Sequence, residues 1–165
     1  MSTAALVPVE EYLRRTEKPN CEYVDGVLHP KALSTVGHSR IQAMLLVLLS
    51  QFGIEALPEV TLRLSPTKFL VPDVIAGINI ASPYPTEPVL LCIEILSPDD
   101  GLGAMLAKCE QYHAWGVPSC WVIDPVKRAA WDYPLGGEPT RIGISAALHA
   151  TGVTVRMEEL FAALK

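Results

Sequence analysis

Two short apolar runs, each interrupted by a single carboxylate, constrain this chain more than any other feature. They are VPDVI at residues 71–75 and LCIEILS at residues 91–97, and both are rich in β-branched residues. This composition predicts largely buried β-strands. A carboxylate in such a strand loses the hydration that stabilises its charge, so it requires a partner. Asp73 and Glu94 are therefore the first candidates for functional residues.

A shared metal ion is one explanation for the two carboxylates. Consecutive strands are usually neighbours, so Asp73 and Glu94 are expected to lie side by side and to repel each other unless a cation lies between them. Oxygen ligands of this kind suit Mg²⁺ or Mn²⁺. The alternative is that each carboxylate has a separate structural role, with Asp73 capping a turn after Pro72 and Glu94 pairing with a basic residue across the sheet. The residues alone leave both explanations open.

The segment after the second run predicts a helix over residues 102–115. Its apolar residues fall at helical spacing, Asp99 or Asp100 is available as the N-cap, and the sequence GVP ends it. Lys108 lies on the edge of the apolar stripe, so its aliphatic stem can follow apolar surface while its ammonium reaches toward the sheet. There it can hold an attacking water or stabilise negative charge building up on a phosphate. The alternative is a lysine that simply extends into solvent.

An ordered set of segments resembles a known family. The set comprises VPD at 71–73, IEILSP at 93–98, Lys108 with Tyr112, WGVPSCWVIDP at 115–125, EYVDG at 22–26, and His38 near the start of a long helix. Together these resemble the Uma-type restriction endonucleases of the PD-(D/E)XK nuclease superfamily, over nearly the whole chain. The resemblance implies a restriction-endonuclease-like fold and a divalent-metal phosphodiesterase whose metal ligands are Asp73 and Glu94.

The resemblance also implies roles for further residues. In the superfamily's usual form a lysine stands two residues after the second acid, but here Leu96 occupies that position, and Lys108 fills the slot of a lysine taken from the following helix. Glu22 resembles an acid that helps to hold a second metal, with a surface glutamate opening a hairpin as the alternative. Tyr112 is a candidate supporting or substrate contact. His38 is a candidate for handling a phosphate or a proton, with an ordinary polar histidine as the alternative.

The whole pattern predicts one α/β domain over residues 1–165, with a mixed β-sheet core flanked by helices. The helix at 102–115 connects the Glu94 strand to a strand at 119–123, and such a crossover makes the two strands parallel. The other predicted elements are a short helix before residue 19, a hairpin at 21–29, a core helix at 36–52, strands at 54–64, 69–80, 128–133 and 153–155, and a final helix at 157–164.

Composition limits the partners. The longest apolar run, at residues 41–49, is too short to span a bilayer and no signal-peptide pattern begins the chain, so we expect a cytoplasmic protein with no membrane contact. The four cysteines lack zinc-ligand spacing, which favours free thiols. A net charge of −5 argues against a broadly basic nucleic-acid surface. A local basic rim is still available from Arg14, Arg15, Lys18, Lys31 and Arg40.

The leading hypothesis is a Mg²⁺- or Mn²⁺-dependent endonuclease acting on DNA. A homodimer is expected by analogy, because cleavage of both strands needs two sites related by a twofold axis. The second hypothesis is a catalytically silent module that keeps the fold for binding or oligomerisation. The acidic charge and Leu96 favour the silent module, whereas the complete set of Asp73, Glu94 and Lys108 favours the enzyme. A third possibility, a sugar- or small-molecule-binding α/β domain, rests only on the acids in strands.

Overall fold

The computed structural model describes residues 5–165 and contains four helices and twelve strands in that part of the chain. In chain order these are α1 (Val9–Tyr12), β1 (Cys21–Val24), β2 (Val27–Pro30), α2 (Val36–Ser50), β3 (Glu55–Pro58), β4 (Leu62–Ser65), β5 (Lys68–Leu70), β6 (Val74–Gly77), β7 (Leu91–Ile95), α3 (Leu102–Trp115), β8 (Ser119–Asp124), β9 (Ala129–Pro134), β10 (Thr140–Ile142), β11 (Ala147–Ala150), β12 (Val153–Arg156) and α4 (Met157–Phe161).

A six-stranded mixed sheet, in the order β10-β9-β8-β7-β6-β3, forms the centre of the molecule. Strands β6 and β7 are antiparallel, with Val74 opposite Ile93. Strands β7 and β8 are parallel and are joined through α3, which confirms the predicted crossover. Every residue of β7 and β8 is buried, because helices α2 and α4 pack on one face of the sheet and α3 packs on the other.

A second sheet, in the order β2-β1-β5-β4, carries the predicted hairpin. Tyr12 of α1 stacks on Tyr23 of β1 with ring centroids 5.0 Å apart, and both rings contact Phe69 of β5. This aromatic cluster packs α1 against the second sheet and joins the side chains of its neighbouring strands β1 and β5. It thereby fixes the position of Glu22, which precedes Tyr23 in β1.

Two of the predicted strands are wrong, because each is divided into two shorter strands. The segment 54–64 forms β3 and β4, and the segment 69–80 forms β5 and β6, with the two halves of each segment in different sheets. The first break contains Glu59, whose backbone has a φ of 52°, a left-handed conformation that no strand residue adopts. The second break contains Pro72, which has no N–H to offer a strand ladder. Asp73 therefore follows a strand break and precedes β6.

The ends of α3 also differ in part from the prediction. Neither Asp99 nor Asp100 is the N-cap, which is Gly101 without a side-chain hydrogen bond. Asp100 Oδ2 instead accepts a hydrogen bond from the Ser97 backbone N–H at 2.8 Å, which tightens the loop between β7 and α3. The predicted stop is correct, because Gly116 ends the helix with a φ of 119°, a conformation that favours glycine.

The remaining predicted helices and strands are present with adjusted bounds. Helix α2 begins after Thr35, whose Oγ1 accepts a hydrogen bond from the His38 N–H at 3.1 Å. Helix α4 ends earlier than expected, at Phe161. Strands β10 and β11 lie in a part of the chain for which the sequence predicted no element. All four cysteines are free thiols. Among the described residues, no helix has the length and apolar character needed to cross a membrane.

Candidate functional site

A cleft of about 120 Å³ lies where the central sheet, the hairpin sheet and the starts of α2 and α3 meet. Five of the six residues predicted for the site line it, and the sixth, Tyr112, contacts Glu94. The charged and ionisable side chains in the lining are Glu22, Lys31, His38, Asp73, Glu94, Asp100 and Lys108.

Glu94 is directed toward α3 by the alternation of β7. Its neighbours Ile93 and Ile95 pack into the core under α2, so Glu94 points with Cys92 to the opposite face. Glu94 Oε1 accepts hydrogen bonds from the Tyr112 hydroxyl at 2.7 Å and from Lys108 Nζ at 2.8 Å. Burial raises the pKa of Glu94 to about 7, an effect that Lys108 opposes and Asp73 reinforces.

Lys108 lies between two carboxylates from different sheets. Its Nζ is 2.8 Å from Glu94 Oε1 and 2.5 Å from Glu22 Oε1. Burial acts to lower the pKa of Lys108, but the two carboxylates outweigh it and hold that pKa above its ordinary value. The sequence alternative of a solvent-directed lysine is therefore wrong for this structure.

The strand break at residues 71–73 supplies backbone groups to the site. Val71 has left the ladder of β5, so its N–H donates to Glu22 Oε1 at 2.8 Å and its carbonyl accepts from Lys31 Nζ at 2.8 Å. Both polar groups of one buried peptide segment are thus satisfied by side chains of the cleft. The break orients Glu22 and Lys31 as well as Asp73.

Asp73 is held from several directions. Its Oδ2 accepts the Ile95 N–H at 2.7 Å, and its Oδ1 is 2.9 Å from Lys31 Nζ and 3.3 Å from His38 Nε2. Burial acts to raise the pKa of Asp73, but the hydrogen bond from His38 and the charge of Lys31 outweigh it and leave the pKa well below its usual range. The carboxylate is therefore ionised in the folded protein.

His38 faces the cleft from the first turn of α2 and contacts Asp73 through Nε2. Its Nδ1 is buried and has no hydrogen-bond partner among the described residues. An Nε2 proton is required for this ring to donate to the carboxylate. The side chain thus positions Asp73 in this structure.

Lys31 is the site residue that the sequence analysis did not single out. It was assigned to a basic rim, whereas its ammonium lies inside the cleft, with 13% of the side chain exposed. Burial acts to lower the pKa of Lys31, but Asp73 and Glu94 outweigh it and raise that pKa. The hairpin register brings Lys31 near Glu22, because Cys21 pairs with Pro30 and the Lys31 N–H donates to the Asn20 carbonyl. The sequence alone contained no signal that this lysine would face a buried carboxylate.

The other members of the predicted rim lie outside the lining of the cleft. Arg14 is exposed, and its Nε donates to the Glu10 carbonyl at 2.9 Å. Arg15 pairs with Glu17 at 3.7 Å and Lys18 with Asn20 at 2.6 Å, and all four line a separate polar cavity of about 320 Å³. Arg40 points toward the C-terminal carbonyl of Lys165 on another surface. A single continuous basic rim around the cleft is therefore not formed by these residues.

The donor set fits a hard divalent ion that uses few protein ligands. Within residues 5–165 no group of three or more His, Cys, Asp or Glu side chains forms a preassembled metal cage. However, no described residue donates to Glu94 Oε2 or Glu22 Oε2, and both residues line the cleft. Mg²⁺ commonly binds through one or two carboxylates and completes its shell with waters and substrate phosphate oxygens. Glu94 can supply Oε2, and Asp73 can supply the second lone pair of Oδ2, whose first lone pair accepts the Ile95 N–H.

A solved protein structure shares this architecture. The crystal structure of a "putative nuclease belonging to DUF820" from Anabaena variabilis ATCC 29413 superposes with a TM-score of 0.81 at 22% identity, covering 96% of this chain and 100% of that one. A cryo-electron-microscopy structure of a DrdV–DNA complex matches with a TM-score of 0.47 at 18% identity, covering 74% of this chain and 10% of that one. No curated protein matches the chain significantly.

The sequence match is to a nuclease family. The Uma2 family, described as "Putative restriction endonuclease", matches residues 9–164. This match covers nearly all of the described chain, and the superposition confirms the expected restriction-endonuclease-like α/β fold. The chain belongs to the Uma2 family.

Proposed function

We propose that this protein is a Mg²⁺- or Mn²⁺-dependent endonuclease that hydrolyses phosphodiester bonds in DNA. The observation that carries the proposal is the convergence of Asp73, Glu94 and Lys108 in one cleft, with the Lys108 ammonium 2.8 Å from Glu94. These residues come from a strand break, a strand and a helix. Membership of a restriction endonuclease family supports the reaction class.

Asp73 and Glu94 are the residues that would hold the metal. Glu22 can join them only through Oε2, because Oε1 already accepts hydrogen bonds from Val71 and Lys108. A divalent ion bound here would supply Lewis-acid polarisation of the scissile phosphate and would lower the pKa of a coordinated water.

The chain's own residues perform the positioning. Lys108 offers N–H donors at the cleft, where it can orient the attacking water or stabilise negative charge on the phosphate. Glu22 contacts the same ammonium, so Lys108 would keep one carboxylate partner if Glu94 held a metal ion. Tyr112 fixes Glu94 from the α3 side, and His38 fixes Asp73 from α2.

The silent module is the second candidate function, and one observation favours it. Lys31 and Lys108 each lie within 3 Å of a carboxylate, at 2.9 Å from Asp73 and 2.8 Å from Glu94, so the metal-free site is already a closed ion-pair network. Such a network can serve structure alone. Metal binding separates the two candidates, because a purely structural network has no need to release its carboxylates.

The proposed homodimer provides the second active site needed for cleavage of both DNA strands. Sedimentation velocity of the metal-free protein with and without DNA tests it. A monomer in the absence of DNA and one protein chain per DNA complex would contradict the dimer. Cleavage of a single DNA strand would then be the reaction to examine.

The first experiment is a Mn²⁺ titration by calorimetry, followed by a cleavage screen on DNA of diverse sequence, with wild type, Asp73→Asn and Glu94→Gln. The expected result is binding and cleavage in wild type and loss of both in each variant. Asp99→Asn and Glu87→Gln are matched controls, because both residues are exposed and lie outside the lining of the cleft. Cleavage that survives in Asp73→Asn and Glu94→Gln would contradict the assignment.

A further inference from the structure

The cleft holds two ammonium groups, those of Lys31 and Lys108, among its carboxylates. Lys31 Nζ lies 2.9 Å from Asp73 Oδ1, and Lys108 Nζ lies 2.8 Å from Glu94 Oε1. Each of the two carboxylates proposed to hold metal therefore already has a cationic partner supplied by the chain itself.

Lys31 contacts several groups besides the Asp73 carboxylate. Its Nζ is 2.8 Å from the Val71 carbonyl, 2.9 Å from Asp73 Oδ1 and 3.7 Å from Glu59 Oε1. Its own backbone N–H donates to the Asn20 carbonyl at 2.8 Å. Glu59 in turn accepts a hydrogen bond from Asn20 at 2.7 Å. These contacts give Lys31 a defined position at the edge of the cleft.

We propose that the cleft takes one divalent ion per chain, and that the Lys31 ammonium occupies the position beside Asp73 where a second cation would otherwise be bound. This inference rests on the proposed metal-dependent function. Asp73 Oδ1 already contacts Lys31 and His38, and Oδ2 contacts the Ile95 N–H, so Asp73 has little capacity left to bridge two ions. Lys108 occupies the corresponding position between Glu22 and Glu94.

A measurable consequence is that Lys31 weakens metal binding. A fixed positive charge beside the ligand repels a divalent ion and competes for Asp73 Oδ1, and in a partly desolvated cleft this interaction is weakly screened. Replacing Lys31 with an uncharged side chain of similar length removes both effects. We expect Lys31→Met to bind Mn²⁺ about 10-fold more tightly than wild type.

The test is a calorimetric titration of Mn²⁺ into metal-free full-length protein without nucleic acid. Wild type is expected to bind one ion per chain, Lys31→Met to bind more tightly, and Lys31→Arg to resemble wild type because it keeps the charge. Lys127→Met is the matched control, since Lys127 is exposed and does not line the cleft. Lys31→Gln repeats the charge removal with a polar side chain, in case the methionine variant fails to fold.

The outcomes separate this inference from the proposed function. Two ions bound per wild-type chain, or charge-removing variants that bind Mn²⁺ no more tightly than wild type, would overturn the role given to Lys31 while leaving the metal site intact. Absence of binding in wild type and in both charge-removing variants would overturn the metal-dependent function together with this inference. The wild-type stoichiometry tests the inference even if every Lys31 variant is unfolded.

Discussion

Lys108 Nζ lies 2.8 Å from Glu94 Oε1, and this contact joins a helix to the central strand that precedes it in the chain. The same ammonium contacts Glu22 in the hairpin sheet. One side chain therefore connects α3 to both sheets that form the cleft. The connection makes Lys108 important for stability as well as for the proposed chemistry.

Lys108→Met is expected to destabilise the metal-free protein by about 3–5 kcal/mol, because it leaves Glu22 and Glu94 without their shared cation in a buried site. Chemical denaturation measures the loss, and DNA cleavage is expected to disappear in the same variant. Lys108→Arg keeps the charge and should retain most of the stability. Lys127→Met, at an exposed position, should change stability by less than about 0.5 kcal/mol. A Lys108→Met protein as stable as wild type would show that the ion pairs are not needed for folding.

Asp100→Ala is expected to destabilise the protein by about 1 kcal/mol and to reduce cleavage. The substitution removes the acceptor for the Ser97 N–H, which fixes the loop that leads from Glu94 into α3. Thermal unfolding measures the first effect and single-turnover cleavage the second. Asp99→Ala changes the exposed neighbouring residue and serves as the control. Equal behaviour of the two variants would contradict a role for this loop contact.

The local sequence pattern was sufficient to predict the strand that carries Glu94 and the helix that follows it. Strand β7 is a continuous apolar run, α3 has helical spacing, and a parallel crossover follows from their order. Side chains alternate along a strand, so the face of β7 that carries Glu94 could be predicted from the sequence. The helical spacing of α3 in turn predicted that Lys108 could reach toward that strand. Pattern failed where two apparent strands, at residues 54–64 and 69–80, each serve two sheets. Pro72 was a local signal for the second break, whereas the left-handed backbone at Glu59 has no comparable signal in the sequence.

The charged partners of Asp73 were harder to predict. Lys31 lies 42 residues before Asp73 in the chain, and the pair depends on how the hairpin sheet docks on the central sheet. A basic residue after a hairpin looks the same in sequence whether it meets solvent or a buried carboxylate. The expected roles of Asp73 and Glu94 rested on the cost of burying a charge, and that argument states only that partners exist. The identity of the partners requires the three-dimensional arrangement.

Glu22→Gln is expected to slow cleavage more than it weakens metal binding. The amide oxygen can still accept the Val71 N–H, but the loss of charge loosens the hold on Lys108. Single-turnover rates and Mn²⁺ titrations on the same preparation separate the two effects. If Mn²⁺ affinity falls as far as it does in Asp73→Asn, Glu22 is a metal ligand and the positioning role is secondary.

Mn²⁺ affinity in the metal-free protein is expected to depend on pH with a midpoint near that of Glu94. Burial raises the pKa of Glu94 to about 7, so below that pH a proton must leave before the carboxylate can bind the ion. Affinity should fall by about 10-fold per pH unit below the midpoint and reach a plateau above it. Calorimetry in several buffers also measures the released proton. A constant affinity from about pH 5 to 8 would contradict this coupling.

Tyr112→Phe is expected to move that pH midpoint upward. The Tyr112 hydroxyl donates to Glu94 Oε1 at 2.7 Å, and a hydrogen bond to the ionised form favours ionisation. Its removal therefore makes the bound proton harder to displace, so Mn²⁺ binding needs a higher pH, while affinity on the alkaline plateau changes little. Tyr133→Phe is the matched control, since its hydroxyl contacts the exposed Glu110 at 3.4 Å. A midpoint that stays fixed or falls in Tyr112→Phe would mean that Lys108 alone sets the ionisation of Glu94.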